Sequence, residues 1–343
     1  MRRGPTQREI ARRLGLSPAT VSLALNDSPM IAAATRKLVR AALAEAGYVP
    51  DARAAALRTG RSRIVGVSFH NIAHQFFAEM LIAVEETLGE AGVVLFLNNH
   101  GEDAANFTRF VDSLAAHGAD GLLASPPPGV DASAVAPIRR RGAPVVYVSR
   151  RIRDDPVADW VVNDDAAAIG RAAQRLIDLG HRRLVLLGGQ PGTSVAEDRV
   201  AGFRATLESA GVGWRDALWL RCRPRLVEGA AAARAALAAA PRPTAFVCFN
   251  DLVAFGAMGA LRAAGLTPGA DVGVVGVGGT DEAAAFHPAL TTVLDNPAKI
   301  GRIAAQTLLA RIAEPEAAPV RVTLDPRLMI RESCGGPLVA PPA

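Results

Sequence analysis

The sequence predicts a small all-α head followed by a larger α/β body, on three observations. Charge is split: residues 1–63 carry twelve Arg/Lys against four Asp/Glu, a net +8, and the rest of the chain stands at −3. Within the first 50 residues, helix caps and apolar positions at helical spacing recur three times. Beyond residue 63, apolar runs of strand length alternate with helical patterns. At 343 residues, half of them apolar, the chain has ample core material for more than one globular unit.

Composition excludes several classes. Apolar runs are short and interrupted by Gly, Pro or Arg, so no membrane span is expected. The start, MRRGPTQREIARRLG, is basic but lacks the apolar region and cleavage site of a secretory signal, so a cytoplasmic location is expected. Cys222, Cys248 and Cys334 are far apart with no C-x-x-C spacing, against a disulfide framework or a zinc site. His70 and His74 lie four apart without a third ligand, and read as cleft-loop or surface histidines, with no metal. Gly276-Val277-Gly278-Gly279 lacks the spacing of a dinucleotide loop, and no G-x-S-x-G, P-loop or Cys/His arrangement is present; neither a cofactor nor an enzyme is expected. A basic head on a slightly acidic body points to a polyanion partner for the head alone.

In the head, Thr6-Gln7-Arg8-Glu9 fits a capping box that opens a first helix. Ile10, Ala11 and Leu14 form its apolar stripe, Gly15 turns the chain and Leu16 plugs the small core. Ser17-Pro18 starts a second helix, with serine as N-cap and proline where its missing N–H costs nothing. Val21 and Leu25 are its expected buried pair; Pro18, Ala19, Ser22, Leu23 and Asn26 point outward. A third helix is expected over about 33–46, with Leu38, Ala42 and Leu43 facing in and Gly47 as stop. Two short helices joined by a glycine turn make a helix-turn-helix, whose second helix can lie in the major groove of DNA.

The runs REIARRLGLSPATVSLALND and TRKLVRAALAEAGYVPDARAAALRTGRS resemble the DNA-binding head of the LacI/GalR family of repressors. The resemblance implies that the segment after Tyr48-Val49-Pro50 becomes a hinge helix on operator DNA. Leu57 would then wedge into the minor groove, and Ala54 would let two hinge helices approach. The family commonly reads TVSRVLN where this chain has TVSLALN, so Leu23 replaces an arginine that reads guanine. Pro18 and Ala19 donate no side-chain hydrogen bonds; base reading would rest on apolar contacts, Ser22 and DNA shape. Thr20, Ser22, Asn26, Thr35 and the flanking arginines are then phosphate contacts that fix register, and the cap residues Thr6 and Ser17 are also expected on the DNA-binding surface.

In the body the strands read as 64–69, 93–98, 121–124, 144–149, 160–162, 183–189, 244–249 and 272–278, with helical stretches between them. Such alternation calls for parallel sheets covered by helices, with ligands at the carboxyl ends of the strands. LGHRRLVLLGG, DRVAGFRATLESAG, PTAFVCFNDLVAFGAMGALRAAGL and PALTTVLDNPAKIGRIAAQTLL are similar to the same family's ligand-binding core. The resemblance implies two Rossmann-like lobes of the type I periplasmic-binding-protein fold, with crossings near 161–164, 289–293 and 322–326. The expected organisation is a head at 1–50, hinge and linker at 51–63, an effector and dimerisation body at 64–335, and a tail at 336–343. The N-lobe would hold about 64–162 and 292–323, the C-lobe about 163–290 and 324–335.

Within that frame, Phe76 and Phe77 match effector-contacting aromatics, with a helix-start core pair as the alternative. Arg199 matches an arginine that clamps ligand oxygens, against a surface ion pair. Asn250 is expected to point into the cleft and Asp251 to cap a helix. Ser149 and Gly278 stand where the family often places aspartates, which opens the ligand class to less hydroxylated or anionic compounds. The implied function is a DNA-binding transcriptional regulator, commonly a repressor. Its partners are double-stranded operator DNA, a small-molecule effector such as a sugar or related metabolite, and a second copy in a homodimer or higher oligomer. Two rivals, a solute-binding transport component and a Rossmann-type enzyme, lack an export signal and a cofactor motif respectively.

Overall fold

In a computed structural model, residues 5–25, 27–48, 56, 59–213 and 218–335 are described. The chain divides into two compact units, 1–62 and 63–343. The first holds α1 (Gln7–Leu14), α2 (Pro18–Leu25) and α3 (Ala33–Glu45). The capping box forms: Thr6 N–H donates to Glu9 at 2.7 Å, and the threonine hydroxyl accepts from Glu9 N–H. Ser17 Oγ accepts from Thr20 N–H at 3.0 Å and so starts α2. Gly15 sits at φ 64°, in the left-handed region that the sharp turn requires.

One small core joins the three helices, built from Ile10, Ala11, Val21, Ala24, Val39, Ala42 and Leu43. Two expectations change here. In α2 Ala24 is fully buried beside Val21, while Leu25 is only half-buried. In α3 Leu38 is 52% exposed and Val39 is buried in its place. At 100° per residue, 39, 42, 43 and 46 share one stripe, whereas 38 lies about 90° from its centre.

The second unit contains two six-stranded sheets. Sheet one runs β2 (Val94–Asn99), β1 (Ile64–Phe69), β3 (Gly121–Ala124), β4 (Val145–Val148), β5 (Asp159–Asn163) and β11 (Arg321–Leu324), with every neighbouring pair parallel. Sheet two runs β7 (Leu218–Leu220), β6 (Leu184–Leu187), β8 (Ala245–Cys248), β9 (Gly273–Gly278), β10 (Thr291–Leu294) and β12 (Arg327–Met329), with only β12 antiparallel. Helices cover both faces and bury separate apolar layers, as right-handed crossovers between parallel strands demand.

The chain passes between the sheets after β5, after β10 and between β11 and β12. The second passage falls at Asp295-Asn296, later than the 289–293 expected from sequence. Strand β10, placed partly in the N-lobe on sequence, pairs with β9 through Thr291–Val275 and Leu294–Gly278. Only from α12 (Pro297–Ala313) does the chain pack on the first lobe, through Ile300, Ala304 and Leu308. No helix of the described residues is long and apolar enough to cross a membrane. The three cysteines are free thiols.

Candidate ligand cleft and DNA-binding surface

On the head, Ser17, Pro18 and Ala19 are exposed, and Thr20, Ser22, Leu23 and Thr35 are half-buried. Helix α2 carries no charged side chain, so the head's positive charge comes from its other segments. Part of it is already neutralised, since Arg13 pairs with Glu45 and Arg40 with Asp27. The hydroxyls of Ser17 and Thr20 lie 2.8 Å apart, and that of Thr6 is held in the capping box. Asn26, Ala54 and Leu57 lie outside the described residues.

In the body a cleft opens at the carboxyl ends of both sheets. The first lobe contributes His70 after β1, Phe76 and Phe77 from α4 (Gln75–Glu90), Ser149 and Arg150 after β4, and Asn163 at the end of β5. The second contributes Asp165 from α7 (Asp165–Asp178), Arg199 from α8 (Ser194–Ser209), Phe249 and Asn250 after β8, and Gly278 at the end of β9. Asp251 opens α10 (Asp251–Ala263), and Asp295 stands at the passage between lobes. The site thus brings together every effector residue singled out on sequence, in the crevice where α/β folds bind ligands.

Their roles differ from expectation in four ways. Phe77 is 4% exposed and belongs to the first-lobe core while its ring reaches the cleft; Phe76 packs edge-on against it at 5.0 Å. Arg199 makes a buried ion pair, neither exposed nor unpartnered. Its Nε donates to Asp165 Oδ1 at 2.7 Å, Nη2 lies 2.6 Å from the same oxygen, Nη1 donates to the Phe249 carbonyl, and the guanidinium sits 4.6 Å from the Phe249 ring centroid. Guanidinium carries five N–H groups, so two remain for a ligand.

The helix cap falls on Asn250 rather than Asp251, while Asn250 also lines the cleft as expected. Asn250 is the N-cap, its Oδ1 accepting from Val253 N–H at 3.0 Å. Asp251 is buried and accepts from Gly279 N–H at 2.8 Å, Thr280 N–H at 3.0 Å and the Thr292 hydroxyl at 2.6 Å. This explains the glycine run: a Cβ on Gly276 would stand 2.3 Å from Asp251 Oδ1, and Gly279 turns at φ 76° to present its N–H.

Finally, the cleft is rich in carboxylates, against the expectation of their loss. Asp165 and Asp295 were missed on sequence, although Asp295 directly follows β10 and Asp165 lies two residues beyond β5. Burial pushes both carboxyls up, and Asp295 reaches about 7, with Arg199 opposing and Asp165 and Asp251 adding to the rise. Burial holds His70 well below the usual imidazole range, with Arg150 adding to the effect, and lowers His74 with help from Arg199. Arg150 is consumed by a bidentate pair with Glu102, at 2.7 and 2.9 Å.

Comparison with known proteins agrees with both units. Residues 6–51 match the family described as bacterial regulatory proteins, lacI family, and residues 173–334 match a periplasmic binding protein-like domain. The transcriptional regulator CelR of Thermobifida fusca is 32% identical, covering 97% of this chain and 99% of its own. The HTH-type transcriptional repressor PurR of Photobacterium profundum is 29% identical over 96% of this chain and 98% of its own. Among solved structures, a CelR–cellobiose complex aligns at TM-score 0.72 and 30% identity, covering 96% of this chain and 99% of that one. A lac repressor dimer bound to operator aligns at TM-score 0.86 and 24% identity over 97% and 99%, a likeness of fold. Full-length similarity to CelR, with a matching head and a two-sheet body, places this chain in the lacI family of bacterial regulatory proteins, which are transcriptional regulators rather than enzymes.

Proposed function

We propose that the chain is a DNA-binding transcriptional repressor whose operator affinity is set by a small metabolite, a sugar or related compound, held between the two lobes. The observation that carries this reading is the cleft, with Arg199, Asp165 and Asp295 buried at the carboxyl ends of both sheets. Residues 1–50 serve as the DNA head, 51–63 as the hinge, and 64–335 as the effector and dimerisation body; an operator partner places the protein in the cytoplasm. Helix α2 enters the major groove, with Pro18, Ala19, Ser22 and Leu23 toward the bases and Thr6, Ser17, Thr20, Asn26 and Thr35 toward the phosphates. The hinge presents Leu57 to the minor groove and Ala54 to a second copy.

A homodimer is supported by the first lobe's edge strand. Val94, Phe96 and Leu97 on β2 and Ile82 on α4 are all exposed apolar side chains at or near a sheet edge, where an isolated protein ordinarily places charge or cover. Ligand-driven movement of one lobe against the other changes the spacing of two hinges and so couples the cleft to the operator. Leu57→Ala tests the DNA half. Affinity for an own-promoter fragment should fall at least about tenfold while binding to random DNA holds; an equal fall in both rejects the wedge.

A further inference from the structure

The charges lining the cleft do not balance. Four carboxyl groups, on Glu79, Asp165, Asp251 and Asp295, line it with two guanidinium groups, on Arg150 and Arg199. Both arginines are already engaged, one by Glu102 and the other by Asp165. The two cleft histidines supply no compensation, because burial and the neighbouring arginines disfavour their charged forms.

Asp251 is satisfied by two backbone N–H groups and a hydroxyl. Asp295 is not. Its side chain is 8% exposed; Oδ1 accepts from the Asn163 amide at 2.9 Å, whereas Oδ2 has, among the described residues, no hydrogen-bond donor and only the Arg199 Nη2 at 4.0 Å. A carboxylate so largely buried, whose nearest guanidinium stands 4.0 Å away and is bonded to Asp165, is costly unless a cation joins it. Among the described residues no group of three or more His, Cys, Asp or Glu is arranged to hold a metal ion. The walls also include Phe76, Phe77 and Phe249, aromatic rings of the kind whose faces attract cations, as the Phe249 ring already does for Arg199.

We propose that the cleft is built for a small metabolite carrying a protonated amine, with the Asp295 carboxylate as its counter-charge. This rests on the reading of the cleft as the effector site and narrows its ligand class. A neutral polyol would satisfy Oδ2 by hydrogen bonding but would leave the excess negative charge buried. An anion would add to it. The raised affinity of Asp295 for its proton is the same imbalance seen from the protein's side.

The test uses the full chain and three series that hold the framework and vary the charge: propylamine, propanol and propionate; glucosamine, glucose and glucuronate; benzylamine, benzyl alcohol and benzoate. In thermal unfolding near pH 7.5, the amine of at least one series should raise Tm by about 2–4 °C, and its neutral and acidic counterparts should not. Asp295→Asn should abolish that shift. If the variant fails to fold, the wild type decides: amine affinity should drop about tenfold between pH 7.5 and 5.5 as Asp295, flanked by Asp165, Asp251 and Arg199, takes up its proton. Equal stabilisation by a neutral or acidic member, no amine stabilising, or pH-independent affinity overturns the proposal. Repeating the series with promoter DNA separates the two readings. A compound of the wrong charge that alters DNA binding sinks the cationic class alone, whereas an amine that binds without altering DNA binding sinks the regulatory role.

Discussion

Arg199 and Asp165 pair inside the second lobe, Nε to Oδ1 at 2.7 Å, with both side chains less than 8% exposed. A cleft arginine that is also half of a buried ion pair cannot be truncated cleanly, because its loss strands the partner carboxylate. Arg199→Ala should therefore cost about 3 kcal/mol in urea unfolding as well as any ligand response. The double variant Arg199→Ala/Asp165→Ala should lose clearly less than the two single changes added together. Additive losses would show that the pair is not energetically coupled.

Asp295 should impose a pH slope on stability. In the unfolded chain its carboxyl ionises near 3.8; folded, it holds its proton to about 7. Below the lower value both states are protonated and the favourable contribution is fully present. As pH rises through the folded value the unfolded chain has already released its proton and the contribution is lost. Asp295→Asn should therefore raise stability near neutral pH by roughly 1–3 kcal/mol and leave it nearly unchanged near pH 4. Urea midpoints across a pH series check this; Asp165 and Asp251, shifted the same way, leave a residual slope in the variant.

The rim of the cleft carries ion pairs from lobe to lobe. Arg153, between β4 and β5, reaches Glu197 at 2.9 Å and Asp198 at 2.6 Å on α8, and Arg151 N–H donates to Ser194 Oγ at 3.0 Å. Arg153 is partly exposed, so Arg153→Ala should change global stability by less than about 1 kcal/mol. It should nonetheless widen the lobe arrangement in the unliganded protein, read as a larger radius of gyration by solution scattering. An unchanged radius would show that the rim pairs do not hold the lobes together.

The head was legible almost residue by residue, because its caps and stripe are local signals: Thr6, Ser17 and Gly15 act as their types require. Leu38 was misplaced because 38 and 42 also satisfy an i, i+4 spacing, and only the third and fourth stripe members decide the phase. In the body, long apolar strands announced themselves, while β7, β10, β11 and β12 did not. They are three or four residues long and mix in Thr, Arg or Trp. Strand β10 reads as polar because Thr291 and Thr292 are buried with their hydroxyls bonded, to Arg331 N–H and to Asp251. Missing that strand hid Asp295, which stands directly after it. The fall of the cap on Asn250 rather than Asp251 turns on a one-residue choice of helix start, which two adjacent capping residues leave undetermined.

The most direct test of ligand-controlled operator binding is selection of fragments from sheared genomic DNA by the full-length chain, with and without a compound that stabilises the cleft. Enrichment of a short pseudo-palindromic sequence is expected, with binding that weakens steeply with salt and is altered by the compound. Recovery of DNA with no shared sequence, or of a shared sequence whose occupancy ignores the compound, would contradict it.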